Sequence, residues 1–144
     1  MPVILNEIEV THYLKEVFPE ISAQWPSLTI EKISDLQGVF ALKYDESMLR
    51  PGGTISGPTM MALADLAIYG TILGNIGPQA LAVTTNLTFD FMNKPPKDDL
   101  ICKCQILKLG KRLITARAEI LSKNNNLLCT HAVGTYSIPP AKSV

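Results

Sequence analysis

Residues 50–75 read RPGGTISGPTMMALADLAIYGTILGN, and from Met60 to Leu73 the one charged side chain is Asp65. A carboxylate in apolar surroundings costs several kcal/mol unless it is paired, hydrogen-bonded or protonated, so its place in this run implies a task. Pro51, Gly52 and Gly53 break the preceding chain. Gly57-Pro58 then opens a helix, because proline is tolerated where its missing N–H has no helical partner. The pattern predicts a helix over 58–73, ended by Gly74, Gly77 and Pro78. Met60, Met61, Leu63, Ala64, Leu66, Ala67, Ile68, Ile72 and Leu73 cover nearly every face of it, and a helix apolar all round is surrounded by protein. Met60 to Leu73 is too short to span a bilayer, which makes it a core helix.

Around this helix the texture alternates between apolar and polar. Residues 6–21 place Val10, Leu14, Val17, Phe18 and Ile21 at helical spacing until Pro19 interrupts, which predicts an amphipathic N-terminal helix. Strands are expected at 28–34 and 38–45 about a turn at Asp35 to Gly38, and again near 80–93, 98–109, 112–122 and 127–138. The later separators, NKPPKDD, LGK and NNN, have the chemistry of turns. One buried helix among about six strands in sequential hairpins predicts an α+β fold, an antiparallel sheet curled around the helix. At 144 residues the chain is read as a single domain, 1–144.

Lys plus Arg and Asp plus Glu number thirteen each, so no overall charge excess argues for nucleic acid, an anionic membrane surface or an acidic tail. The three cysteines, Cys102, Cys104 and Cys129, form no disulfide-like framework. MPVILNEIEVTHYLKEV lacks the basic start and unbroken apolar core of a secretory signal, so a cytoplasmic location is expected. Cys102 and Cys104 share one strand face and Cys129 and His131 another, which raises a zinc site. Without paired CxxC spacing they are read as small buried or edge residues and no metal is assigned. His12 lies in the N-terminal helix, away from Asp65.

GGTISGPTMMALADLA, TTNLTFDFMNKP and LKLGKRLITARAEI together resemble the hotdog-fold acyl-CoA thioesterases of the phenylacetate-degradation (PaaI-like) type, over about residues 38–137. The resemblance implies an antiparallel sheet wrapped around a long central helix, hydrolysis of a CoA thioester to free acid and CoA, and no cofactor. It also implies a homodimer as catalytic unit, often paired into a homotetramer, a dimer of dimers. Asp65 falls where the family carries its base or nucleophile. Thr84 is the nearer match to its strand hydroxyl, with Thr85 as the alternative. Where the family commonly has His-Gly-Gly this chain has Ser56-Gly57-Pro58, and Arg50 stands nearest its loop asparagine.

Physical chemistry assigns the motif a job of its own. A thioester is hydrolysed through a tetrahedral intermediate bearing an oxyanion, and an N–H at a helix start suits that charge. Gly57, with no side chain, admits the carbonyl to its amide, while Pro58 offers no donor. Asp65 then acts as general base on water or attacks directly; the sequence leaves both open. Eight residues of helix separate the two by about 12 Å, so Asp65 must work with the helix start of another subunit. Ser56 is read first as a helix cap. Arg50 is either a solvated loop charge or a contact to substrate. Lys108, Lys111 and Arg112, about the LGK turn, are candidates for CoA phosphates or ordinary hairpin charges. Met60, Met61, Phe89 and Phe91 suggest an adaptable acyl pocket. A non-catalytic acyl-CoA binding protein of the same fold is the other reading, and a hotdog hydratase is less favoured because the segment has no histidine to pair with the acid.

Overall fold

The computed structural model describes residues 3–140. The N-terminal segment forms two helices, α1 (Glu7–Val17) and α2 (Pro19–Gln24), where one helix over 6–21 was expected. Asn6 caps α1 with a reciprocal box: its side chain accepts from the Glu9 N–H, and the Glu9 carboxylate accepts from the Asn6 N–H. Phe18 leaves helical geometry at φ −142°, ψ 61°, and Pro19 restarts the chain as the first residue of α2. The proline that interrupts one helix thus begins the next.

Eight strands follow the helices: β1 (Leu28–Ser34), β2 (Gln37–Leu42), β3 (Leu49–Arg50), β4 (Thr54–Ile55), β5 (Val83–Phe91), β6 (Leu100–Leu109), β7 (Leu113–Ser122) and β8 (Leu128–Ser137). Six make one antiparallel sheet in the order β1-β2-β6-β7-β8-β5, and β3 and β4 form a separate two-residue ladder. Sequential hairpins account for β1-β2 and β6-β7-β8. The long helix between β4 and β5 carries β5 to the far edge, beside β8, and lets β6 pair with β2.

That helix, α3 (Gly57–Ile76), lies over one face of the sheet, the hotdog arrangement the resemblance implies. Phe40, Leu100, Ile114, Ile120 and the helix residues Leu63, Ile68, Ile72 and Leu73 are fully buried between them. Small residues on β7 and β8, Ala116, Ala118, Ala132 and Gly134, let the helix settle close to the sheet; a Cβ at Gly134 would collide with Leu87 of β5 and already stand 3.4 Å from Ile68 of the helix. At 20 residues α3 is longer than the expected 58–73 and apolar enough to cross a membrane, yet most of it is enclosed by the sheet and α1. Gly74 does not end it. The helix passes through to Gly77, whose φ of +93° closes it with an N–H to the Leu73 carbonyl. One stripe of α3 stays open, however: Pro58, Met61 and Ala62 are exposed and Asp65 half-buried, all at helical spacing.

Candidate active site

Asp65 projects from the middle of α3 toward the sheet edge formed by β8 and β5. Residues on the inner face of β8 alternate, so Thr130, Ala132, Gly134 and Tyr136 face the helix. Tyr136 pairs with Thr84 on β5, which sets both hydroxyls on the Asp65 side. Thr84 Oγ1 donates to Asp65 Oδ1 at 2.8 Å, and Tyr136 Oη donates to the same oxygen at 2.6 Å. Tyr136 Oη also lies 3.1 Å from the Asp65 main-chain carbonyl. A bulge at Thr85 turns its hydroxyl away, to the Thr135 carbonyl at 3.1 Å.

A layer of aromatic rings backs this carboxylate. Tyr69 stacks on Tyr136 with centroids 5.9 Å apart and is itself anchored through a hydrogen bond to the Ala80 carbonyl. Tyr13 accepts from the Ala80 N–H, so the same residue ties α1 to the site. Burial, reinforced by the neighbouring Asp65 charge, pushes the Tyr136 phenol far above its ordinary range, and it remains a donor at neutral pH. Burial likewise raises the phenol of Tyr69. In front of Asp65 is a cavity of about 210 Å³ walled by Phe18, Ile21 and Trp25 from α2 and its flanks and by Leu66, Tyr69 and Tyr136, with Glu20 and Gln24 at its rim.

A second cavity, about 440 Å³, lies at the start of α3 and is lined by Gly57, Met60, Arg50, Thr54, Phe91, Asn93 and Lys94. Ser56 caps the helix: its hydroxyl accepts from the Thr59 N–H and shares a bond with the Thr59 hydroxyl. Gly57 is the first helical residue, one position before the expected start at Pro58, which is the second. Among the described residues the Gly57 N–H has no hydrogen-bond partner, as befits the first donor of a helix. The two cavities share no lining residue, so one protomer keeps Gly57 and Asp65 apart.

The candidates therefore divide. Thr84 bonds to Asp65, and Arg50 lines the cavity at Gly57. Lys108, Lys111 and Arg112 stand about the β6–β7 turn and line neither cavity. Met60 and Phe91 line the Gly57 cavity, Phe89 stacks on Phe91, and Met61 is exposed on the open helix stripe. Cys129 falls in a bulge of β8, off the regular alternation that puts His131 on the outer face, and β7 separates both from Cys102 and Cys104. Among the described residues no three His, Cys, Asp or Glu side chains cluster as metal ligands. Sequence reasoning missed Tyr136, and it read Asn93 and Lys94 as part of a turn.

Comparison with known proteins places the arrangement. Residues 52–129, more than half the chain, match the model of the thioesterase superfamily. Among solved structures, a candidate thioesterase from Silicibacter sp. TM1040 is 38% identical, with 97% of this chain and 96% of that one covered and a TM-score of 0.87. A thioesterase-class protein with coenzyme A from Streptococcus pneumoniae (18% identity, 90% and 99% covered, TM-score 0.77) shares the fold. So does the PaaI protein of the Escherichia coli phenylacetic acid degradation operon (16% identity, 93% and 96% covered, TM-score 0.76). Among curated protein sequences none matches this chain. A helix enclosed by a six-stranded antiparallel sheet, a family match over most of that core and a near-complete superposition on a 38%-identical structure lead to one conclusion: the chain is a hotdog-fold member of the thioesterase superfamily.

Proposed function

We propose that the protein is an acyl-CoA thioesterase that works as a homodimer, with Asp65 as its general base or nucleophile. The observation that carries this reading is the Asp65 carboxylate itself, held on one oxygen by Thr84 and Tyr136 and facing an aromatic-walled cavity. In a dimer the thioester carbonyl accepts from the Gly57 N–H of the partner subunit, and that donor stabilises the oxyanion as charge develops. Asp65 takes a proton from water as its oxygen adds to the carbonyl carbon, or adds directly to form a mixed anhydride that water then cleaves. On collapse the C–S bond breaks and CoA leaves as thiolate. The acyl group lies in the aromatic cavity, while Arg50 and Lys94 bring positive charge to the Gly57 cavity for the phosphates of CoA. The coenzyme A seen in the pneumococcal relative supports that choice of carrier.

The open side of the protomer supports the dimer. β5 is an edge strand of nine residues with exposed backbone and side chains, and the uncovered stripe of α3 runs to Asp65. A bare edge of that length is ordinarily paired or protected. A two-fold axis there sets the helices antiparallel and brings Asp65 of one copy to Gly57 of the other. Two such dimers forming a tetramer belong to the same proposal, as does a cytoplasmic location, with which three buried free thiols agree.

The test is thioester hydrolysis over short, medium, long and aromatic acyl-CoAs, beside Asp65→Asn and Asp65→Ala. Turnover by the wild type and a loss of about a hundredfold or more in both variants, with binding retained, is expected. Saturable acyl-CoA binding with no turnover would instead establish the non-catalytic binding protein.

A further inference from the structure

We propose that Tyr136 is a positioning residue for Asp65: with Thr84 it fixes Oδ1 of the carboxylate and thereby assigns Oδ2 as the oxygen that reacts. The functional consequence rests on the thioesterase reading, whereas the hydrogen bond does not. An aspartate on a helix rotates about χ2 with little hindrance, so its two oxygens are interchangeable unless something distinguishes them. Here two donors from two different strands converge on one of them, at 2.8 Å from Thr84 and 2.6 Å from Tyr136. Among the described residues Oδ2 receives no hydrogen bond, and the side chain lines the aromatic-walled cavity. Short O–H···O⁻ bonds of this kind are the strong ones, and they preorganise a group before substrate arrives.

Three features make Tyr136 suited to this role. Its ring is 4% exposed and stacked on Tyr69, so the phenol cannot swing away to solvent. Burial keeps it protonated, so it donates where an ionised phenol would repel the carboxylate. Its strand, β8, is paired on both sides, whereas Thr84 comes from the free-edged β5. The tyrosine is thus the rigid donor and the threonine the one that depends on how the edge is completed. Glu20, Tyr69 and Tyr13 are the other ionisable groups at or behind this cavity, and none of them donates a hydrogen bond to Asp65.

The test compares Tyr136→Phe, which keeps the ring and its stacking, with Thr84→Val in the full-length protein. Steady-state kinetics on whichever acyl-CoA the wild type turns over fastest are expected to show kcat lowered about tenfold or more in each, with KM within about twofold. Proton NMR supplies a readout independent of turnover: a downfield, slowly exchanging Tyr136 hydroxyl proton in the wild type, lost in Tyr136→Phe and in Asp65→Ala. An unchanged kcat in a folded Tyr136→Phe, or a hydroxyl proton indifferent to Asp65→Ala, would overturn the proposal while leaving the thioesterase reading in place. A wild type without turnover would defeat that reading, and the hydroxyl proton would still decide whether Tyr136 holds Asp65. Should Tyr136→Phe fail to fold, the comparison of wild type with Asp65→Ala decides alone.

Discussion

At the scale of single residues, the interior of this protein holds several groups in their neutral form. Burial pushes the Cys104 thiol up to about 12, against an opposing contact from Thr71, and it drives Cys102 well above its ordinary value, with Cys104 and Glu119 adding to the shift. An unfolded chain ionises these thiols near pH 8.5–9. Above that pH the unfolded state therefore binds fewer protons than the folded one, and stability falls as pH rises toward the folded values. The loss amounts to roughly 1 kcal/mol per pH unit for each thiol, with Tyr136 joining above about pH 10. Urea midpoints between pH 8 and 10.5 should decline, and Cys104→Ala should decline less steeply; parallel curves would mean that Cys104 titrates alike in both states. The same scale shows what a sequence can disclose about a site. Asp65 stands out because a charge interrupts an apolar run, and Thr84 comes into view only through the strand hydroxyl that the family resemblance implies. Tyr136 carries no such signal, since a tyrosine in a strand is an ordinary β-former. Its bond to an acid 71 positions earlier exists only through the β8–β5 register and the lie of α3.

Between elements, the decisive contacts are made by residues with nothing to contribute except absence of bulk. A Cβ at Gly70 would stand 2.6 Å from Phe40 Cζ and 3.0 Å from Cε2, and Phe40 is fully enclosed between β2 and α3. Gly70→Ala gains up to about 1 kcal/mol in helix propensity. It loses about 1–3 kcal/mol by forcing apart a packed layer. The expected net is a destabilisation of about 1–2 kcal/mol, or some 3–6 °C in Tm by calorimetry; an unchanged Tm would show that the Phe40 ring can turn aside. Glycine explains the misplaced helix end as well. From sequence, Gly74 reads as a stop, but a Cβ there would collide with Ile33 and crowd the Leu5 carbonyl, and its own carbonyl accepts from the Ile4 and Leu5 N–H groups. It is a point of close approach, which local pattern does not distinguish from a terminator. Strand positions were legible because alternation is local. Their order was not, because it depends on where a 20-residue crossover helix delivers the next strand.

For the whole molecule, the separation of Gly57 from Asp65 makes a prediction that no single-chain site can satisfy. If each active site joins Asp65 of one subunit to Gly57 of its partner, a subunit damaged at either residue can still complete a site with the other half intact. Asp65→Asn removes the carboxylate. Gly57→Val blocks approach to the helix-start N–H, and within the protomer a Cβ at Gly57 meets only the Phe91 ring at ordinary contact distance, 3.6 Å, so the first carbon of the side chain is accommodated. Each variant alone should be nearly inactive. Unfolded together in equal amounts and refolded, about half of the dimers would be mixed, and each mixed dimer has one site with both residues intact and one with neither. Activity should then return to about a quarter of the wild-type level. A control carrying both substitutions in one chain, refolded with wild type, gives mixed dimers whose two sites each lack one residue, so its activity should also be about a quarter, supplied by wild-type dimers alone. Co-refolded single variants that stay inactive, while each still sediments as a dimer, would place both residues' work within one subunit and would require some other donor for the oxyanion beside Asp65.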